Sequence, residues 1–180
     1  MVEAQDGVGA PDALQRLWTP HRMAYIKREG TSRPETSGGP CPFCRIIGMD
    51  DVEALVIARG GTVYAVLNLY PYNPGHLMVV PYRHVADYPD LTIQETAELA
   101  AFTQRAMLAS RRAAAPHGFN IGINQGAVAG AGIAVHLHQH VVPRWGGDAN
   151  FMPVIGGTKL LPQLLAETHT LLVDAWNEVS

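Results

Sequence analysis

Three histidines occupy alternate positions in one short apolar stretch: His136, His138 and His140. Side chains alternate between the two faces of a β-strand, so we expect the three imidazoles to share one face, roughly 6 to 7 Å apart. An imidazole with its ordinary pKa of about 6.5 can act near neutral pH as a nucleophile, an acid, a base or a metal ligand. A single histidine in a strand is usually a packed or surface residue, but burying three without a role would cost the desolvation of each unpaired nitrogen. The row therefore predicts that His138 is a nucleophile and that His136 and His140 assist it.

A glycine-rich segment, residues 124–134, leads directly into the histidines and carries no charged side chain. Glycine allows the backbone to approach a ligand closely, and successive N–H groups in such a loop form a concavity that binds anions. A loop of this kind is more often a simple turn, but its place before the histidines predicts a phosphate-binding loop around Gly130, Ala131 and Gly132. Asn124, at its start, is expected to donate its amide to a phosphate oxygen or to cap the turn.

The chain contains only two cysteines, Cys41 and Cys44, separated by two residues. Two cysteines are too few for the disulfide framework of a secreted domain. By itself the pair is compatible with a redox, a structural or a metal-binding role, and its spacing does not decide among them.

Four motifs in order make the segment from Cys41 to Arg144 similar to the histidine triad family of nucleotide-binding hydrolases and transferases. These are the Cys-Pro-Phe-Cys run, the Asn-Pro-Gly-His run with His84 behind it, the glycine-rich loop and the His-Leu-His-Gln-His run. The flanking runs Leu17–Met23 and Pro143–Phe151 resemble the actinobacterial diadenosine tetraphosphate phosphorylase branch of that family. With these flanks the resemblance covers nearly the whole chain.

The resemblance implies a zinc site made of Cys41, Cys44, His84 and His136. Four protein ligands fill a tetrahedral zinc ion completely and leave no position for a substrate, so the metal would be structural and would help to aim His138. The alternative is a reduced pair of cysteines without a metal.

The resemblance also implies a reaction. His138 would attack the α-phosphorus of a nucleotide and form a nucleotidyl-histidine intermediate, while the loop amides and His140 stabilise the developing charge. Asn68 lies where relatives bind the ribose hydroxyls, although a turn at a strand end would also explain it. Trp145 is expected to donate its indole N–H to the substrate, or else to pack. His76 is expected to be a core histidine rather than a catalytic one.

The expected function is cleavage of dinucleoside polyphosphates, with diadenosine tetraphosphate and inorganic phosphate giving ADP and ATP. Relatives in this branch carry Gly-Ser where this chain has Ala131-Gly132. The missing hydroxyl, together with a backbone angle that Ala131 would restrict, keeps hydrolysis by water open as a second reaction. A nucleoside phosphoramidate hydrolase and a non-catalytic module that binds adenine nucleotides are also compatible with these motifs.

Composition limits the partners. The net charge of −3 argues against a general nucleic-acid binder. No apolar stretch reaches the roughly 18 residues that span a bilayer, and the N-terminus lacks the features of a signal peptide, so we expect no membrane and a cytoplasmic protein. Family resemblance further implies a homodimer.

The elements that must position these residues follow from hydrophobic patterning. Residues 1–40 are expected to form a tail, a short helix and a flexible connector, and residues 41–180 the histidine triad domain. That domain is predicted to be α+β, with a mainly antiparallel five-stranded sheet, a long helix between strands and a C-terminal helix. Thr92 and Glu95 predict a capping box for the long helix. His117 and His169 belong to no motif and are expected at the surface. The predicted strands are 50–58, 62–69, 77–82, 119–124 and 135–143, and the predicted helices are 91–115 and 160–179.

Overall fold

Five strands form one antiparallel sheet in the computed structural model, which describes residues 41–148 and 163–179. All of these residues belong to one unit of the chain, Glu35–Ser180. The order across the sheet is β1-β2-β3-β5-β4, and the α+β class is confirmed. The strands are β1 Val56–Arg59, β2 Val63–Leu67, β3 Leu77–Pro81, β4 Gly118–Ile123 and β5 Gln139–Arg144. The predictions for residues 1–40 lie outside the described residues.

Within the described ranges, three α-helices accompany the sheet: α1 Pro42–Ile46, α2 Ile93–Ala114 and α3 Leu165–Glu178. The capping box of α2 is confirmed, because Thr92 Oγ1 accepts from the backbone N–H of Glu95 and the Glu95 carboxylate accepts from that of Thr92. Short 3₁₀ helices occupy Tyr88–Asp90 and Ala127–Ala129. Among the described residues, no helix has the length and apolar character that a bilayer crossing requires.

The sheet is covered on both faces, and this explains why every residue of β2 and β3 is buried. On one face, α2 and α3 pack against the sheet in a core cluster that includes Leu77, Val141 and Trp176. On the other face, α1 contributes Phe43 to a cluster with Tyr64 and further residues of β2 and β3. The residues expected to do chemistry lie on this second face.

The fifth strand begins later than the sequence predicts, at Gln139 instead of residue 135. Its two neighbours pair with it no further back than Gln139, and the backbone N–H of Leu137 donates to Val85 O at 2.7 Å instead of to a strand. His136 and His138 therefore precede the sheet, and strict strand alternation does not set their directions.

The predicted first strand also begins late, because residues 50–55 form a turn. Asp50 accepts the backbone N–H groups of Val52 and Glu53 at 2.9 and 3.2 Å, and such local bonds compete with a ladder. Leu55 ends this turn with a φ of 59°.

His117 is exposed as expected, but the expectation for His169 is wrong: this ring is buried in α3 and donates to Val56 O at 2.9 Å.

Candidate functional site

A cavity of about 550 Å³ opens on the sheet face that α1 covers. His138 and His140 line it beside Gly130 and Gly132 of the glycine-rich loop. The remaining wall is largely apolar and comes from α1, the turn before β1 and the end of β2. Its members include Phe43, Ile46, Met49, Leu55 and Leu67. An apolar chamber next to polar ring nitrogens is a typical shape for a small-molecule site.

The ring of His138 is held in one tautomer. Its Nδ1 lies 2.8 Å from the backbone oxygen of His136, and a carbonyl oxygen can only accept, so Nδ1 carries the proton. The lone pair is then on Nε2, which has no hydrogen-bond partner within the described residues. Burial lowers the pKa of His138 below its ordinary value, which favours the neutral ring. The cavity therefore contains an imidazole prepared to act as a nucleophile.

The proton of His140 is placed by a chain of hydrogen bonds that begins in the backbone. The N–H of Tyr72 donates to His76 Nδ1 at 3.0 Å, so a neutral His76 carries its proton on Nε2. That Nε2 lies 2.9 Å from His140 Nδ1, which must accept. A neutral His140 then bears its own proton on Nε2. Burial, reinforced by the neighbouring His138, lowers the pKa of His140 to about 4. His140 is thus a neutral donor at physiological pH.

Two residues of this hydrogen-bond chain, Tyr72 and His76, were not predicted from the sequence to orient His140. Tyr72 lines the cavity and stacks on His140, with ring centroids 5.6 Å apart and planes 29° apart. His76 is a fully buried histidine, as expected, but it also orients His140. The sequence signal for both was their position around the Asn-Pro-Gly-His motif, which lies far from the triad along the chain.

Asn68 lies at the end of β2 and lines the cavity. Its Oδ1 accepts the backbone N–H of Tyr70 at 2.9 Å, as a turn residue does, and its Nδ2 lies 3.4 Å from His76 Nδ1. The turn role of Asn68 is thus observed, and its contact with a ribose stays a prediction.

The glycine-rich loop keeps part of its hydrogen-bonding capacity for itself. Gly126 and Gly130 have positive φ values of 82° and 87°. The N–H groups of Ala129 and Ala131 both donate to Gly126 O, at 3.2 and 3.3 Å, and that of Gly130 donates to Ala127 O at 2.9 Å. These amides already have acceptors, so they do not form the open row of donors that the sequence suggested.

Gly132 differs from its neighbours in the loop. Its backbone N–H makes no hydrogen bond within the described part of the chain, and the residue lines the cavity with His138. A Cβ at Gly132 would meet nothing within 4 Å, so a side chain is sterically acceptable there. Ala131 has no positive φ, and the expected backbone restriction at this residue is therefore not present. Asn124 is half-buried at the start of the loop, and its Nδ2 lies next to Gly130.

The first triad residue belongs to a different centre. His136 donates from Nε2 to Pro81 O at 2.9 Å, so the lone pair of Nδ1 points at two thiols. It lies 3.3 Å from Cys41 Sγ and 3.5 Å from Cys44 Sγ, and His84 Nδ1 lies 3.2 Å from Cys44 Sγ. Together the four ligand atoms lie within 4.8 Å of one another.

This group of four residues can hold a metal ion, as the sequence predicted. Zn–S and Zn–N bonds of about 2.3 and 2.0 Å at tetrahedral angles separate sulfur and nitrogen by about 3.5 Å, close to the separations found between Cys41, Cys44 and the two imidazoles. The hydrogen bond from His136 to Pro81 is the outer contact that orients a histidine ligand. The set leaves no open position, which suits a structural site.

Helix α1, which begins directly after Cys41 and contains Cys44, is fixed to the sheet by two side chains. Tyr64 of β2 donates its hydroxyl to Phe43 O at 2.9 Å. Arg59 of β1 donates to the carbonyl oxygens of Ile46 and Met49, each at 3.2 Å, and pairs with Asp51 at 2.7 Å. The Phe43 ring lies between the two centres, 5.5 Å from the ring of His136 and 4.9 Å from that of His138. The metal centre and the cavity therefore share one support.

Trp145 is not brought to this cavity within the described chain. Its indole N–H donates to Ala114 O at 3.2 Å, and the ring lines a second cavity of about 260 Å³ beside α3. The backbone that follows is held by Asp148, which pairs with both sides of the Arg144 guanidinium and accepts from Asn73. The arginine holds the pKa of Asp148 well below its usual range. Among the described residues, nothing supports the substrate contact expected of Trp145.

Comparison with known proteins agrees with this geometry. A family profile described as HIT domain matches residues 50–147. A protein of Mycobacterium tuberculosis strain H37Rv named AP-4-A phosphorylase is 58% identical over 172 residues, covering 94% of this chain and 88% of its own. A Zn-bound histidine triad family protein from Mycobacterium smegmatis superposes with a TM-score of 0.63 at 32% identity, covering 77% of this chain and 94% of its own. A hypothetical histidine triad nucleotide-binding protein from Sulfolobus tokodaii strain 7 gives a TM-score of 0.63 at 26% identity, covering 77% and 93%.

Proposed function

This chain belongs to the histidine triad family, and we propose that it cleaves dinucleoside polyphosphates, with diadenosine tetraphosphate as the substrate and inorganic phosphate as the acceptor. The observation that carries the proposal is the pair of ring nitrogens in one cavity. Nε2 of His138 offers a lone pair, and Nε2 of His140 offers a proton. The name of the Mycobacterium tuberculosis relative, at 58% identity, supports the choice of substrate and acceptor.

The reaction we propose has two transfers on His138. In the first, Nε2 bonds to the α-phosphorus while the bond from that phosphorus to the bridging oxygen breaks, so that ATP leaves and AMP stays on the ring. In the second, an oxygen of inorganic phosphate attacks the same phosphorus, the N–P bond breaks, and ADP leaves. The nucleotidylated ring is positively charged, and the carbonyl oxygen of His136, which accepts from Nδ1–H, stabilises that charge.

Other residues of the cavity bind and orient the substrate in this proposal. The apolar wall that includes Phe43 and Leu55 accommodates a base, and Asn68 lies at the boundary where a ribose would follow. The His140 N–H and the Gly132 amide donate to oxygens of the α-phosphate as negative charge shifts. Catalysis of this kind depends on position more than on covalent machinery.

A bound zinc ion would supply a structural cross-link between α1, His84 and His136. The chain's own residues then transmit that order: His136 holds His138 through its carbonyl oxygen, and Phe43 packs on both rings. Zinc is thus proposed to support the nucleophile without contacting the substrate.

We further propose that the protein is a cytoplasmic homodimer that binds no nucleic acid and no membrane. In the part of the chain that the structure describes, β4 is an edge strand, and Ile121 within it is 46% exposed. An uncovered edge is a template for pairing with another strand, so two copies could extend the sheet through β4. A molar-mass measurement in solution tests this, and a monomer at micromolar concentration would contradict it.

Product analysis tests the function directly. Purified protein is incubated with diadenosine tetraphosphate with and without inorganic phosphate, and products are resolved by mass spectrometry. We expect ADP and ATP when phosphate is present. AMP and ATP at the same rate under both conditions would identify a hydrolase and remove phosphate as the acceptor. Hydrolysis is the second candidate function, because Gly132 supplies no hydroxyl to order an incoming phosphate.

Two further outcomes would each indicate a different activity. Faster turnover of an adenosine phosphoramidate than of the dinucleotide would favour a phosphoramidate hydrolase. Tight binding of adenine nucleotides without cleavage of any of these compounds would favour a non-catalytic module. A nucleotidyl adduct on His138, trapped by rapid acid quench, is expected only if the enzyme proposal is correct.

A further inference from the structure

One short segment outside the cavity holds both ends of the glycine-rich loop. This segment, Val85–Tyr88, follows the metal ligand His84 and is called the strap below. Three residues beyond the end of the loop, Leu137 donates its backbone N–H to Val85 O at 2.7 Å. At the start of the loop, Gln125 Oε1 accepts the backbone N–H of Tyr88 at 3.0 Å, and its Nε2 lies 3.4 Å from Asp87 Oδ1.

Between these anchors, Ile133 packs against the core cluster that contains Phe43, but no core cluster of the described residues includes the segment 127–130. Residues 127–130 are exposed, and Val128 is fully so. The hydrogen bonds that start and end inside the loop close small turns and do not tie it to the sheet. Fixing a backbone costs conformational entropy at every residue, so an exposed loop keeps one geometry only if contacts from outside hold it. The contacts made by the strap are of this kind.

Gln125 is the side chain that makes the anchor at the start of the loop. It is exposed and does not line the cavity, so contact with a substrate does not explain its hydrogen bonds. Its amide uses the acceptor and the donor at once, on Tyr88 N–H and on the Asp87 carboxylate. An alanine would lose both, and the start of the loop would be released from the strap.

We propose that Gln125 is a positioning residue that fastens the start of the loop to the strap, and so holds Gly132 beside His138. The mechanical part of this proposal concerns loop order alone. Its consequence for rate rests on the proposed function, in which Gly132 donates to the α-phosphate. Small displacements of positioning groups can reduce rates by large factors, because transfer requires near-attack geometry.

Two variants remove the anchor from opposite sides. Gln125→Ala deletes the acceptor, and Tyr88→Pro deletes the N–H donor. Proline is compatible with that position because Asp87 is already extended, with φ −104° and ψ 135°, and because Tyr88 begins a 3₁₀ helix, where the N–H has no partner within the helix. Tyr88→Ala keeps the donor and is the matched control for the lost ring. Gln94→Ala removes the same kind of side chain from the exposed face of α2.

Hydrogen exchange and single-turnover kinetics give the readouts. In Gln125→Ala and in Tyr88→Pro we expect amides of residues 126–134 to exchange about tenfold faster than in either control, with the same midpoint of thermal unfolding. We expect nucleotidyl transfer to His138 to slow by a similar factor, and the double variant to be no worse than Gln125→Ala, because Gln125→Ala already removes the bond that Tyr88→Pro deletes.

Unchanged exchange in Gln125→Ala would overturn the proposal, and so would fully additive effects in the double variant. The exchange measurement needs no substrate. If the unmodified protein fails to cleave the dinucleotide, the proposed function fails while the anchoring of the loop is still decided by exchange.

Discussion

His136 and His138 are two residues apart, yet they belong to opposite sides of the site. Both nitrogens of His136 have partners inside the protein, Pro81 O on one side and the thiols of Cys41 and Cys44 on the other. Among the described residues, His138 makes a hydrogen bond only through Nδ1, to the backbone oxygen of His136, and it lines the cavity. An imidazole with two partners is a structural element or a metal ligand, whereas one with a single partner can react.

The cavity depends on the metal centre through His136. The carbonyl oxygen of His136 fixes the tautomer of His138, so ordering the first residue orders the second. The dependence runs in one direction, because none of the hydrogen bonds described for the metal ligands uses Nε2 of His138. Damage to the metal centre should therefore reach the cavity, while damage to His138 should leave the metal centre intact.

The variant expected to separate the cavity from the metal centre most clearly is His138→Ala. We expect nucleotidyl transfer to fall by about 10³-fold or more, because the nucleophile itself is lost. Metal content and the midpoint of thermal unfolding should stay close to those of the unmodified protein. Product formation by mass spectrometry and elemental analysis provide the check. Retained turnover would defeat the assignment of the nucleophile.

Variants of the metal centre are expected to affect both the stability of the fold and the reaction in the cavity. Cys44→Ser or removal of the metal by a chelator should lower the midpoint of thermal unfolding, since the binding energy of a structural zinc ion is part of the folding energy. Transfer to His138 should fall with it, by about 10- to 100-fold. Much less than one zinc per chain in the unmodified protein, measured by elemental analysis, would contradict the premise of this prediction.

The cavity side also has a pH signature. The pKa of His140 is lowered to about 4, first by burial and then by His138, so this ring stays neutral well below its ordinary pKa of about 6.5. The unfolded chain takes up its proton near pH 6.5 and the folded chain only near pH 4, so the free energy of unfolding should decrease as pH falls between these values. His140→Asn should show a smaller decrease over that window in denaturant titrations. If the free energy of unfolding falls equally steeply with pH in the two proteins, burial does not lower the pKa of His140.

The smallest expected effect concerns the acceptor. Gly132→Ser adds a hydroxyl where a Cβ meets nothing within 4 Å, so the fold should tolerate it. A hydroxyl at this position can donate to an incoming phosphate, and we expect the ratio of ADP to AMP produced to rise by about two- to tenfold. Ala131→Ser is the matched control in the same loop. No change in the product ratio would mean that residue 132 does not select the acceptor.

Much of the fold could be predicted from hydrophobic patterning and end signals. The number of strands, the long helix between β3 and β4 and the Thr92–Glu95 capping box all depend on local sequence, and the structure confirms them. The four possible metal ligands were also predictable, through the family motifs, and they do lie together. The strand beginnings were less predictable, because Asp50 and Val85 redirect nearby backbone N–H groups away from the ladders.

What the sequence determined by itself is the inventory: three histidines with suitable spacing, a flexible loop before them and a pair of cysteines. What only the tertiary structure decided is which nitrogen of each ring is occupied. Pro81, Val85 and His76 are distant from the triad along the chain, yet they hold His136, the backbone at Leu137 and His140 in place. Hydrogen bonds depend on the distance and direction between atoms that the fold brings together, so the division of the triad into a metal ligand and two cavity residues appears only after the chain has folded.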